Sequence, residues 1–198
     1  MAPLYVSCQN EKKMSIAGKY RKSLDENWCL RFKTRHPEGD PYDGIVTQIK
    51  RSFIVLREEQ DFDLDGINIF PKKSICGYRD GEYERCCNEI LRENGALRKA
   101  RSPNWMNKCE TLPDVIKELK KRDIWPGVES IFNGSSDTAF YIGPITCTAD
   151  DHFNLRCYDA AGKWEQEYKL IYNEIFRIEI DSKYCSRFSA HMRKLGSS

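Results

Sequence analysis

The sequence has no apolar run approaching the roughly 18 residues a helix needs to cross a bilayer, so no membrane partner is expected. It has little net charge: 32 Lys and Arg stand against 30 Asp and Glu, leaving +2. No global field therefore favours a nucleic acid or an anionic surface, and any such binding has to come from a local patch. It also lacks metal-ligand spacing. None of its nine cysteines forms a C-x-x-C pair, and His36, His152 and His191 are far apart. That excludes a zinc-finger pattern, and the thiols read as reduced, small core side chains. The phosphate-binding glycine loops, the G-x-S-x-G elbow and the H-E-x-x-H helix are all missing. No catalytic residue, cofactor or metal is expected, and the chain does not read as an enzyme. The opening MAPLYVSCQNEKKM turns polar too early for a secretory signal, so a cytoplasmic protein is expected.

What is present is the mixture of an ordinary globular protein, 40% hydrophobic and 31% charged over 198 residues. That length suits one large domain or two small ones. The acidic run from Glu58 to Asp65 lacks the D-x-[DN]-x-[DN]-G register of a calcium loop. It reads as an exposed loop between two strands.

An internal repeat appears at an offset of about 100 residues. Gly44 in YDGIVTQI answers Gly143 in YIGPITCT, and Phe53 answers Phe153. Asp80 and Tyr83 answer Asp181 and Tyr184, and Gly95 answers Gly196. The order of elements matches as well. In the first half, alternation or β-rich composition predicts strands over Asn27–Thr34, Tyr42–Lys50, Ser52–Arg57, Ile67–Phe70 and Ile75–Tyr78. HPEGDP is a turn, and Asp80 is placed to cap a helix ending near Gly95. In the second half, strands are expected over Val128–Phe132, Thr138–Thr148, Phe153–Tyr158, Trp164–Leu170 and Ile175–Ile180. Asn133-Gly134 marks a turn, and Asp181 or Ser182 caps a closing helix. Arg92 to Asn107 reads as a polar linker, followed by a helix starting at Thr111; an equivalent first-half helix falls around Lys12 to Tyr20. The expected fold is mainly β with flanking helices: two tandem small barrels of five bent strands plus helix, over residues 1–98 and 99–198.

Helix-then-five-strand order resembles the Sm-like (LSm) family. The segment Gly143-Pro-Ile-Thr-Cys-Thr-Ala-Asp150-Asp-His152-Phe153-Asn154-Leu155 is similar to the family's first motif, which ends in D-x-x-M-N-apolar. Phe153 takes the methionine place, and there is one extra residue. The first half keeps the spacing from Gly44, with Lys50 in the aspartate place and Ile54 in the asparagine place. The Ile-Arg-Gly-Asn core of the second motif is replaced by SICGYRDG and IFRIEIDS.

The resemblance implies a nucleotide pocket at Asp150, His152, Phe153 and Asn154, with polar edges bonding a base and a ring stacking on it. A plain polar strand-to-strand turn is the simpler alternative for Asp150, His152 and Asn154. The resemblance also implies edge-to-edge joining of barrels, so three two-barrel chains would close a six-barrel ring. Two readings follow: a module binding single-stranded RNA, or a scaffold binding itself or another protein through barrel edge strands. For Trp105, Trp125 and Trp164, packing across a domain interface is expected over base stacking.

Overall fold

The computed structural model describes residues 16–36, 41–131 and 138–196. Residues 37–40 of the turn expected over HPEGDP, and the turn expected at Asn133-Gly134, lie outside these residues. Among the described residues the first half contains α1 (Ile16–Glu26), β1 (Cys29–Thr34), β2 (Tyr42–Ile49), β3 (Phe53–Gln60), β4 (Asp63–Pro71), β5 (Ile75–Arg79) and α2 (Glu82–Glu93). The second contains α3 (Leu112–Lys121), β6 (Gly127–Ile131), β7 (Thr138–Ile142), β8 (Ile145–Thr148), β9 (His152–Tyr158), β10 (Trp164–Ile171), β11 (Ile175–Ile180) and α4 (Lys183–Gly196). The fold is mainly β, as expected. No helix among the described residues is long and apolar enough to cross a membrane.

The strands pair antiparallel into open sheets rather than closed barrels. One sheet runs β5-β1-β2-β3-β4-β11-β6-β7, and a smaller one runs β8-β9-β10. The sheet continues across the halves because β4, an edge of the first half, pairs with β11: Ile69 faces Ile178 and Ile67 faces Ile180. An uncovered edge is a row of unsatisfied backbone groups, and here each half covers the other's.

The strand expected over Thr138–Thr148 is divided. At Gly143 φ is +154°, and a Cβ there would lie 2.1 Å from the carbonyl oxygen of Arg156. Pro144, next in sequence, has no N–H to give a ladder, and its carbonyl accepts from Arg156 N at 3.1 Å. The crossing of two backbones at a bare glycine therefore splits β7 from β8. Gly44 makes the corresponding approach to Arg57 O, where a Cβ would stand 2.5 Å away, but β2 stays whole.

Three expectations are corrected. The acidic run is no loop: Glu58 to Gln60 end β3, Asp63 to Asp65 begin β4, and Asp61 and Phe62 alone make the turn, both with positive φ. The stretch from Arg92 to Asn107 is no loose linker. It forms 3-10 turns over Ala96–Lys99 and Asn104–Lys108, because Ala96, Ala100 and Met106 are apolar and small or flexible enough to bury. Asp80 does not cap α2. Gly81 is the N-cap, and its N–H donates to Glu84 at 2.6 Å. Thr111 does cap α3, accepting from Asp114 N, and Ser182 accepts from Cys185 N at 3.1 Å at the start of α4.

Asp80 instead receives Lys19 Nζ of α1 at 2.9 Å and the Trp28 indole N–H at 3.0 Å. Burial alone would raise its pKa, but these two donors overcome that and hold it below the usual aspartate range. A carboxyl whose pKa is depressed by folding contributes stability above its unfolded pKa and loses it as pH falls through the folded one. Asp80→Asn keeps an acceptor for Trp28 but loses the ion pair. It is expected to lower stability by about 1–3 kcal/mol at neutral pH. That gap should close on acidification below about pH 4, as read by urea unfolding at each pH. A gap that stays constant with pH would show that the charge does not hold α1.

Two apolar clusters dominate the interior. One lies inside the first half, with Leu30, Phe32, Val46, Ile54, Leu56 and Phe70, and it takes Phe176 from β11. The other joins Phe53, Val55 and Ile69 to α3 and to the strands of the second half. Residues of both halves thus share each core.

Candidate functional site

The turn between β8 and β9 carries the residues singled out in the sequence. Ala149 N donates to His152 O at 2.9 Å and closes it. The 3-10 turn Tyr172–Glu174, after β10, is tied to it by Tyr172 N donating to Asp151 O at 3.1 Å. Asp150 is exposed in that turn. His152 Nδ1 lies 2.6 Å from Asp151 Oδ1, and this contact holds the exposed Asp151 carboxyl below its ordinary pKa.

Phe153 and Asn154 alternate along β9 and so point to opposite faces. Phe153 is wholly buried against Tyr172, with ring centroids 5.4 Å apart. It presents no face on which a base could stack. Asn154 donates through Nδ2 to Glu167 Oε1 at 2.6 Å. Its Oδ1 and the Tyr172 hydroxyl are buried without a hydrogen-bond partner among the described residues. Burial pushes the Tyr172 phenol up to about 12. The structure therefore brings Asp150, His152 and Asn154 to one rim and leaves Phe153 in the core beneath it.

The first half builds its corresponding turn the same way. Lys50 N donates to Phe53 O at 2.9 Å, and Lys72 N, opening the 3-10 turn Lys72–Ser74, donates to Ser52 O at 3.0 Å. The charge is inverted: the first rim carries Lys50, Arg51, Lys72 and Lys73, and the second carries Asp150, Asp151 and Glu174. Lys50 is partly spent on Asn107 O at 2.8 Å and Glu110 at 3.3 Å. Lys73 Nζ donates to Asn173 O, linking the two rims.

A second polar constellation was not legible in the sequence. Arg177 of β11 lies at the junction of the halves. Its Nε reaches Glu129 at 3.1 Å, and its Nη1 reaches Asn68 Oδ1 at 3.1 Å and Glu179 at 3.3 Å. Its guanidinium also sits over the Tyr42 ring, 4.9 Å from the centroid. Glu129 further meets His36 Nε2 at 2.7 Å, and Asn68 donates to Glu58 at 2.5 Å. Burial raises Glu58 despite that bond and despite Arg177. Each carboxylate here faces a donor, so the cluster is a closed structural network rather than an open reaction site.

The tryptophans pack, but Trp125 and Trp164 do so within the second half rather than across the junction of the halves. Trp125 meets Trp164 edge-on at 5.9 Å and carries Arg193 at 4.1 Å, while Trp105 packs against the shared core. A shallow cavity beside them, lined by Asp123, Trp125, Ser189 and Arg193, holds about 200 Å³, below the roughly 300 Å³ at which small-ligand pockets begin.

Comparison of the chain with protein-family models, with curated proteins and with solved structures finds no match.

Proposed function

We propose that the chain is a non-catalytic assembly scaffold of two Sm-like units in tandem, residues 1–98 and 99–198, that joins further copies through its sheet edges. One observation carries this reading: the fourth strand of the first unit, β4, already pairs with the fifth strand of the second, β11. The chain thus makes within itself the contact by which such units would join. The complementary edges remain at its two ends. Among the described residues β10, the fourth strand of the second unit, pairs with β9 alone, and β5, the fifth strand of the first, pairs with β1 alone. A β10 edge meeting the β5 edge of the next copy repeats the internal contact in a head-to-tail sense. Such a heterologous contact closes into a ring when its rotation allows, and three chains would give six units.

A second reading, binding of single-stranded RNA, is favoured by the exposed cations Arg51, Lys72 and Lys73 on the first rim, which suit phosphate. Asp150 and Asp151 on the second rim repel it.

Native mass spectrometry over a dilution series tests the proposal. The expected result is one discrete multimer of the 23.1 kDa chain, a trimer if six units close, that survives dilution. A monomer at every concentration would overturn it. Anisotropy titration of the same preparation with short oligo-U at low and high salt separates the readings: salt-sensitive binding by a monomer supports RNA recognition and not the scaffold.

A further inference from the structure

Three metal-binding side chains from three separate elements converge in the first half. Cys29 opens β1, Glu59 lies near the end of β3, and Cys87 sits midway along α2. The two sulfurs and a Glu59 carboxylate oxygen all lie within 4.8 Å of one another. All three residues are buried, with 1%, 7% and 1% exposure respectively. We propose that Cys29, Cys87 and Glu59 bind one borderline-soft divalent cation, with zinc as the best chemical match.

The donor set fits that ion. Zinc takes thiolate sulfur at about 2.3 Å in a tetrahedron, which sets two sulfurs about 3.8 Å apart. With all three donor atoms within 4.8 Å of one another, the two sulfurs have at most about 1 Å to close to reach it. Two thiolates and a carboxylate leave the fourth position to water or a small anion.

A cation is needed for these three buried acids to ionise together. Arg31 does not compensate, because its guanidinium is held by both oxygens of Asp43, at 2.7 and 2.5 Å. Three acids are thus gathered in the interior with no base among them, and a divalent ion would let them ionise together.

The supporting contacts also hold the ligands in place. Asn88 brackets the Cys29 backbone: its Oδ1 accepts from Cys29 N at 2.8 Å and its Nδ2 donates to Cys29 O at 3.0 Å. This clamps α2 to the start of β1 and fixes Cys87 beside Cys29. Glu59 is oriented by Phe62 N, which donates to its Oε1 at 2.7 Å. Contacts of this kind tune metal affinity by about 10–100-fold. The hairpin tip at Phe62, three residues from Glu59, is exposed.

The test is cobalt(II) titration of the reduced, metal-stripped full chain, read by the thiolate-to-cobalt charge-transfer absorption and by competition with zinc. One equivalent per chain is expected, with protons released on binding and affinity rising with pH. Cys29→Ser and Cys87→Ser should each abolish the band, and Glu59→Gln should weaken affinity about 10–100-fold. Cys76→Ser and Cys147→Ser, at exposed thiols, should leave it unchanged. Because a core variant can fail to fold, alkylation mapping of the wild type provides an independent readout: zinc should protect Cys29 and Cys87 under mild denaturant. The absence of a stoichiometric band, a band that survives Cys29→Ser, or zinc protection confined to other thiols would overturn the site.

Discussion

Arg177→Met is expected to lower stability by about 3–5 kcal/mol, the usual result of removing one member of a buried charge network. Its side chain is 14% exposed and lies between Glu129 and Glu179, at 11% and 12%. Methionine fills much of the volume but leaves two carboxylates facing each other in the interior, with Glu58 nearby. Burial pulls the Arg177 pKa down, but Tyr42, Glu179, Glu129 and Glu58 together leave it raised, so the guanidinium is charged wherever the protein is folded. The loss should depend on pH in a definite sense. Burial already holds Glu58 above its ordinary pKa, and Arg177 is one of the groups that restrain the rise; without the guanidinium Glu58 rises further, so the native state binds more protons than the unfolded state. Stability then falls as pH rises. Urea unfolding at about pH 5 and about pH 8 should show the variant's deficit larger at the higher pH. A pH-independent deficit under 1 kcal/mol would show that the network contributes little. Because Glu129 lies on β6, Asn68 on β4 and Arg177 on β11, the variant should also weaken the seam between the halves and with it any assembly that depends on their fixed geometry.

The sequence makes the strands legible and leaves their partners hidden. Alternation along CLRFKT and the β-branched run in FIVLR reflect side chains sorted between an apolar and a wetter face, and that sorting is local. The caps at Thr111 and Ser182 are legible for the same reason, since the bond each makes spans three residues. The pairing of β4 with β11 is different. It joins segments more than 100 residues apart, and nothing in IFRIEI states which edge it will cover. Asp80 shows how a local rule misleads. It has the right chemistry and place for a cap, but Lys19 of α1 and Trp28 just before β1, some 50 to 60 residues earlier, claim its oxygens first. The acidic run misleads in another way: charge density resembles a loop, but period-2 alternation buries Leu64 and keeps Asp63 and Asp65 outside. Cys29, Glu59 and Cys87 carry no spacing signal, because a strand, a hairpin and a helix bring them together. The one hint is that Cys29 falls out of phase with the core-facing Leu30 and Phe32, which places it on the face that α2 covers.

Gly143→Ala is expected to cost about 3 kcal/mol, combining an unfavourable backbone region with an overpacked crossing. At φ +154° an alanine is strained whatever space surrounds it, and the added methyl would stand 2.1 Å from Arg156 O and 3.0 Å from its carbonyl carbon. That atom is backbone held in β9, so relief requires moving the strand rather than rotating a side chain. Moving it disturbs Phe153, Leu155 and Cys157, which lie on the same strand and line the shared core. Gly44→Ala separates the two contributions. Its Cβ would meet Arg57 O at 2.5 Å without a positive φ, so it should lose about 1–3 kcal/mol through overpacking alone. Gly77→Ala is the control on β5, where the nearest atom is the flexible Lys33 Cδ at 3.5 Å; there the change should stay within about 0.5 kcal/mol. Denaturant unfolding of the three variants should rank them in that order. If Gly143→Ala is no worse than Gly77→Ala, the break between β7 and β8 does not depend on the glycine, and Pro144 alone sets it. If the order holds, two glycines 99 positions apart serve the same backbone crossing in the two halves. That would be independent physical support for a duplicated unit, because the constraint comes from the approach of one strand to the next and not from any function at the rims.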